Sequence, residues 1–409
     1  MVEAGLYVLG IIVVIIAVTG IGCRRAAFPG PSTPEIVPSR NPPLGPETIS
    51  IGDRVQLHLG AEETLLRDGA VGLHYMPDIG VGVVDNEPGK LRLVFAAGAE
   101  SYLVEGTDFK HLTSAQLVLK PDPASDFDNG DTGISQVIRA GGRLFAVYHA
   151  EDQRDIPSDF VRGVPGFYAS VGLVESEDNG KTWVRRGQII KGAKPKEWKA
   201  FTDPPPGHIV RGAGLPGAVI SQDGRYAFLY YTDLSIQDNR GIQICMARAD
   251  VTEGAPLPGR WKKFYKDEFS EPGVSGNETP VLSVLAMDEA AAMYPHVTWS
   301  EHLKKYVMVF NVNAWKEPTQ GKPPKLSGIY WAMSDDAIKW SAITKLVTDY
   351  SYPRYGKSVS CEPTVIFDDR EGKTGWLVYY YSPKWWDPKG GGIPHFMVGR
   401  RVLIRRSEP

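Results

Sequence analysis

Residues 218–231 read Ala-Val-Ile-Ser-Gln-Asp-Gly-Arg-Tyr-Ala-Phe-Leu-Tyr-Tyr. A short apolar run meets an Asp-Gly turn and passes into a second run rich in aromatic residues, the pattern of a β-hairpin. The same pattern recurs along the chain. Val81-Gly82-Val83-Val84 turns through Asn86 and Gly89 into Leu91-Arg92-Leu93-Val94-Phe95, and Ser135-Gln136-Val137-Ile138 turns through Gly141-Gly142 into Leu144-Phe145-Ala146-Val147-Tyr148. His296-Val297-Thr298-Trp299 leads through His302 and Lys304 to Tyr306–Phe310, and Thr364-Val365-Ile366-Phe367 through Gly372 and Gly375 to Trp376–Tyr381. Beyond Ile49 there is almost no helical periodicity. Hairpins repeated at intervals of roughly 50 to 80 residues predict an all-β chain folded as a five-bladed β-propeller, since radial repetition leaves few exposed strand edges.

A second element follows the hairpin in most copies. Ser176-Glu177-Asp178-Asn179-Gly180-Lys181-Thr182-Trp183 fits the Asp-box pattern Ser-x-Asp-x-Gly-x-Thr-Trp at every fixed position. Degenerate copies lie at Glu105–Phe109 and Ser334–Trp340, and a looser one runs from Ala247-Arg248-Ala249-Asp250 to Trp261. Asp and Gly make the tight turn between a blade's third and fourth strands, and Trp packs beneath it. Asp178 is therefore structural.

These hairpins over residues 50–409, the Asp box, and the segments WSEHLKKYVMVF (299–310) and ISQDGRYAFLYYT (220–232) resemble the five-bladed glycosidases of the arabinanase, xylosidase and invertase kind. Sialidases share the Asp box, but no Arg-Ile-Pro segment precedes the first blade, and the blade count is one short.

Composition narrows the class. A hydrophobic content of 42% with 23% charged residues is that of a globular protein with a real core, and the net charge of −3 offers no basic field for nucleic acid. Three scattered cysteines (Cys23, Cys245, Cys361) show neither a disulfide framework nor metal-ligand spacing, and neither a metal nor a cofactor is implied. Residues 1–23 hold an apolar run, Leu6–Ile21, closed by Gly22-Cys23-Arg24-Arg25. Two readings stand: a signal peptide, in its lipoprotein form with Cys23 lipidated, or an uncleaved anchor helix. Residues 24–48 form a proline-rich linker. An exported, periplasmic or cell-surface protein tethered to a membrane through its N-terminus is expected, with the propeller over 49–409.

In a propeller the start of each blade's first strand lines one central funnel. Those positions hold His74, Tyr75 and Asp78, then Asp128 and Asp131, then His208 and Arg211, then Tyr294 and His296, and finally Cys361 and Glu362. Glycoside hydrolysis needs two carboxyl groups flanking the scissile bond, and Asp78 and Glu362 suit these roles by type and placement. The resemblance implies an Asp opening the first blade, a second Asp in the next and an acid Glu close to a Pro. Met76-Pro77-Asp78, Asp131-Thr132-Gly133 and Ser360-Cys361-Glu362-Pro363 are the counterparts. There are two departures: the family's acid usually lies in a middle blade, and Asp78 lacks a following Pro.

The expected catalytic set is thus Asp78, Asp131 and Glu362. Expected carbohydrate contacts are His74, Tyr75, Arg211, His296, Trp385 and Trp386. His296 also reads as a packed structural histidine, Arg211 as a loop arginine, and the tryptophans as packing between blades. A non-catalytic carbohydrate- or protein-binding propeller is the alternative to a glycosidase.

Overall fold

A computed structural model describes residues 43–155, 166–196, 210–234, 242–252, 254–284, 290–314, 327–348, 359–383 and 394–406. Cys23, His208, Trp385 and Trp386 lie outside these residues. The described residues carry strands and no α-helix.

The first blade is β3 (Gly82–Glu87), β4 (Lys90–Ala97), β5 (Glu100–Gly106) and β6 (Leu112–Leu119). The second is β7 (Asp131–Ala140), β8 (Arg143–Asp152), β9 (Phe167–Ser176) and β10 (Val184–Lys191). In the third, β11 (Val210–Ile220), β12 (Tyr226–Asp233), β13 (Gln243–Asp250) and β14 (Lys262–Tyr265) are joined by an outermost β15 (Glu268–Pro272). The fourth is β16 (Ala290–Ser300), β17 (Lys305–Ala314), β18 (Gly328–Ser334) and β19 (Thr344–Thr348). The fifth joins the chain's two ends: β20 (Val359–Phe367), β21 (Thr374–Ser382) and β22 (Phe396–Arg406), then β2 (Val55–Leu66) and β1 (Glu47–Ile51). The second and third blades are also linked by a short parallel pairing of β9 with β11, at Phe167↔Val210 to Ala169↔Gly212.

All five predicted hairpins are present, as β3–β4, β7–β8, β11–β12, β16–β17 and β20–β21. Two details differ from a plain five-by-four plan. β15 extends the third blade, and β1 begins at Glu47, two residues inside the expected linker. The ring closes because β2 pairs with β22, so a strand from the start of the propeller completes the last blade.

Each pair of neighbouring blades shares its own apolar core. Leu93 and Phe95 face Val378 and Met397 between the first and fifth blades, and Val94 and Leu103 meet Ala146 and Val174 between the first and second. Phe145 and Leu173 pack with Leu229 and Trp261, Tyr230 and Met246 with Met308 and Phe310, and Val309 and Trp331 with Leu57 and Tyr379. A blade buried on both faces needs apolar residues on both, so β4, β8, β12, β17 and β21 read as continuous hydrophobic runs instead of alternating.

The Ser-x-Asp turns join third to fourth strands. Asp178 accepts from Thr182 Oγ1 at 2.7 Å and Thr182 N at 2.9 Å, and from Ser176 Oγ at 2.9 Å, which holds its carboxyl down at about 2. Trp183 donates to Gly180 O at 3.0 Å from a buried position. Asp336 repeats the arrangement between β18 and β19, accepting from Ser334, Ile338 and Lys339. These aspartates brace turns and take no part in a central site.

At the axis the inner strands bind one another. Ser135 Oγ donates to Pro216 O at 2.6 Å, Gln136 Nε2 to Val297 O at 2.8 Å, and Val81 N to Thr364 Oγ1 at 2.9 Å. The remaining axial cavity is about 10 Å³, room for about one water. The described inner strands are thus packed against one another at this point.

Candidate active site

The inner strands of the last three blades share a local device. Leu215-Pro216, Tyr294-Pro295 and Glu362-Pro363 each sit where the ladder skips, at Gly214/Gly217, Met293/His296 and Cys361/Thr364. Proline has no N–H to give a ladder, and a bulge is where its absence costs least. The residue before each proline has a positive φ: 52° at Leu215, 55° at Tyr294 and 59° at Glu362. Such backbone costs about 1–3 kcal/mol for a non-glycine residue. A bulge re-aims its side chain, and only in the fifth blade is that side chain an acid.

Glu362 is held by its neighbour blade. Its N–H donates to Asn311 Oδ1 at 2.8 Å, while Asn311 Nδ2 donates to Ser360 O at 3.2 Å. The Glu362 side chain is 4% exposed, and its Oε2 has no hydrogen-bond partner among the described residues. Burial, then the charges of Asp78 and Asp131, push its carboxyl well above the usual range.

Asp78 comes from the segment leading into β3, where its N–H donates to Ala96 O at 3.0 Å. Asp131 is the first residue of β7. Both keep partial access to solvent at the funnel floor, yet the protein packed around them strips most of their hydration. Burial and then Glu151 raise Asp78 to about 8. Burial, Glu151 and Asp78, in that order, raise Asp131 well above its ordinary value. The structure therefore brings the three expected acids, contributed by the first, second and fifth blades, into one electrostatic cluster. It adds a fourth, Glu151, near the end of β8.

No family model matches the chain, and no curated protein does. Among solved structures it is similar to an N-acetylgalactosamine deacetylase from F. plautii in complex with blood group B trisaccharide, at 12% identity over 84% of this chain and 95% of that one, TM-score 0.47. It is also similar to a family 117 glycoside hydrolase of Zobellia galactanivorans, at 12% identity over 89% and 84% of the two chains, TM-score 0.45. An α-L-arabinofuranosidase from Lactobacillus brevis gives 10% identity over 89% and 90%, TM-score 0.44. Likenesses this distant say nothing of reaction or substrate.

The site itself is more specific. Beside Glu362 stands an aromatic wall. Tyr380 stacks on His395 with centroids 5.0 Å apart and planes at 12°, and Tyr75 meets the same imidazole edge-on at 4.7 Å. Burial pushes His395 down to about 4, so the ring is neutral at pH 7. Tyr294 and Tyr380 pack with Cys361, and burial keeps both phenols protonated, raised further by Cys361 and Glu362. Tyr75 thus belongs to this wall. Tyr380 and His395 were not anticipated, because Tyr380 lies on β21, behind the inner strand, and His395 in the segment just before β22.

Other expected contacts are not brought to the carboxyl cluster. His74 is 63% exposed and its Nδ1 bonds Asp68 at 3.1 Å. Arg211 is partly buried on β11, and burial is the cause that lowers its pKa. His296 lines the axial cavity and is pushed down to about 3 by burial, a neutral ring there. Asp128 is a structural acid: it is fully buried and accepts from Tyr148 Oη at 2.9 Å and Arg185 Nε at 2.8 Å.

A pH test of the cluster follows from Asp78. Its folded value of about 8 lies above the ordinary 3.8, so between those values the folded chain holds a proton that the unfolded chain has lost. Stability must then fall as pH rises through that window. Asp78→Asn removes the effect. Its melting temperature should gain on the parent from about pH 4 upward, and the gain should level off above about pH 8. A gain that is the same at every pH would show that Asp78 is not raised.

Proposed function

We propose that this chain is a glycoside hydrolase whose acid is Glu362 and whose base or nucleophile is Asp78, with Asp131 tuning the pair. The observation that supports this is the unequal grip of one cluster on its protons. Asp78 is raised by Glu151 alone among charges, whereas Glu362 is raised by Asp78 and Asp131. Glu362 is 4% exposed with Oε2 unpartnered among the described residues, while Asp78 keeps partial access to solvent, which favours Asp78 as the first of the two to ionise. Glycosidic cleavage needs that inequality: one carboxyl holding a proton for the leaving oxygen, the other free to attack the sugar or to activate water. The partly exposed rings of Tyr75 and His395, backed by the buried Tyr380, offer neutral apolar surface of the kind that packs on sugar rings. On the same reading the N-terminal segment exports or tethers the propeller, and carbohydrate is its partner.

The test is a broad panel of natural glycans, scored by release of new reducing ends. A hit should show kcat/KM rising with pH through about 8 as Asp78 becomes ionised, then falling when Glu362 loses its proton. An activity that is flat through that range would remove Asp78 from the base role. Binding of a glycan with no cleavage anywhere in the panel would favour the non-catalytic propeller.

A further inference from the structure

Glu151 stands directly across from Asp131 in the β7–β8 ladder. Opposed side chains on adjacent strands have Cβ atoms about 5 Å apart, and two like charges there repel. What decides which acid carries the charge is the set of donors around them. Glu151 Oε2 accepts from Gln153 Nε2 at 2.8 Å, and Oε1 lies 3.3 Å from His149 Nε2.

The tautomer of His149 follows from its other nitrogen. Leu215 N–H donates to Nδ1 at 3.2 Å, so the neutral ring carries its proton on Nε2, the side facing Glu151. The imidazole cannot swing away: it is 3% exposed and packs edge-on against Phe167 at 5.7 Å and 80°. Leu215 is the bulge residue of the third blade, so the kink that has no acid there still serves the site by aiming this N–H. Gln153 is fixed in turn by its own N–H, which donates to Asn129 Oδ1 at 2.9 Å.

Asp131 is held less firmly: among the described residues, the Thr132 N–H bonds its carboxyl and no side-chain donor does. It is faced by Glu151 from β8, by Asp78 from the first blade and by Glu362 from the fifth. Among the described residues no lysine or arginine pairs with it.

We propose that Glu151 is a positioning residue of this site: fixed by His149 and Gln153 opposite Asp131, it holds its carboxyl across the ladder and makes Asp131 a hydrogen-bond donor aimed into the funnel. The partner of Asp131 is then an acceptor oxygen, such as a sugar hydroxyl. Burial, the Glu151 charge and the Asp78 charge act on Asp131 in the direction this requires and outweigh the Thr132 N–H bond, which acts against it. The proposal deepens the glycosidase reading, but its main test does not depend on it.

That test is infrared difference titration of the full chain, following protonated carboxyl bands against pH. A band lost in Asp131→Asn identifies Asp131 in the parent, where it should persist above the ordinary carboxylate range. In Glu151→Gln its midpoint should fall by about one pH unit or more, while Glu151→Asp should restore most of the parent value. Gln153→Ala, a milder change that tests the same point if Glu151→Gln does not fold, should lower the midpoint by less. An unmoved Asp131 midpoint in either variant overturns the proposal. If the bands move as expected but no glycan is cleaved, the glycosidase reading fails and Glu151 keeps its role. If a glycan is cleaved, Glu151→Gln should raise its KM more than it lowers kcat.

Discussion

Glu362→Gln should lower turnover on the cleaved glycan by about a hundredfold or more while leaving the melting temperature at pH 7 unchanged or slightly raised. The substitution keeps the side chain's size and removes only its ionisable proton. Nothing in the fold depends on that proton. The backbone kink is held by Asn311, which accepts the residue 362 N–H whatever the side chain. One carboxyl oxygen has no partner among the described residues, so a neutral amide loses no described bond there. The parent pays to bury an acid next to Asp78 and Asp131, and glutamine removes the charged form of that burden. Retained activity would place the acid elsewhere. A large fall in melting temperature would make Glu362 a structural strut. The matching control is Asn311→Ala, which should loosen the kink and cost both stability and turnover, because it leaves the Glu362 N–H buried and unpaired.

A chain starting at residue 67 should fail to fold, whereas one starting at Pro43 should be soluble and folded. The shorter truncation retains every described strand. The longer one removes β1 and β2, and with them the strand that closes the ring against β22. It takes Val55, Leu57, Leu59, Leu65 and Leu66 out of the two cores that flank the fifth blade. At about 1.5–3 kcal/mol for each buried side chain, the loss is roughly 10 kcal/mol, comparable to the whole stability of an ordinary domain. Arg400 makes matters worse. Its guanidinium is fully buried and donates to Gly60 O at 2.8 Å, to Gly45 O at 2.6 Å and to Glu47. Without residues 43–66 that cation is left unpaired beside a bare strand edge, an invitation to aggregate. Circular dichroism and a thermal melt on both truncations decide the matter. A folded, monomeric chain from residue 67 would show that closure does not hold the ring. Aggregation of the chain from Pro43 would show that the N-terminal segment packs on the propeller and is no tether.

The carboxyl cluster shows where sequence reasoning reaches its limit. Asp78, Asp131 and Glu362 were found because each stands at the head of an apolar run in the sequence, although Glu362 lies inside β20, at its bulge. Glu151 was missed because it lies near the end of the second strand of its hairpin, where nothing local marks it. The Gly141-Gly142 turn allows a count outward from Ala140↔Arg143, but the bulge at Ser135 shifts that count by one before Asp131 is reached. A bulge is set by what the neighbouring blades press against the strand, and that information is spread over the whole ring.

What the chain's local pattern determined by itself was the set of hairpins, the turns at Asp178 and Asp336, and the repetition that makes a propeller. Each rests on interactions among residues close in sequence: short apolar runs either side of a turn, Gly and Asp turn geometry, a Trp folding back on its own turn. Which blade carries the acid, which acids share a field, and which histidine aims at Glu151 were decided only by closing the ring. Closure brings residues from the first, second and fifth blades into one field and strips most of their hydration, and it is this shared burial, a property of the assembled ring, that raises Asp78, Asp131 and Glu362 together.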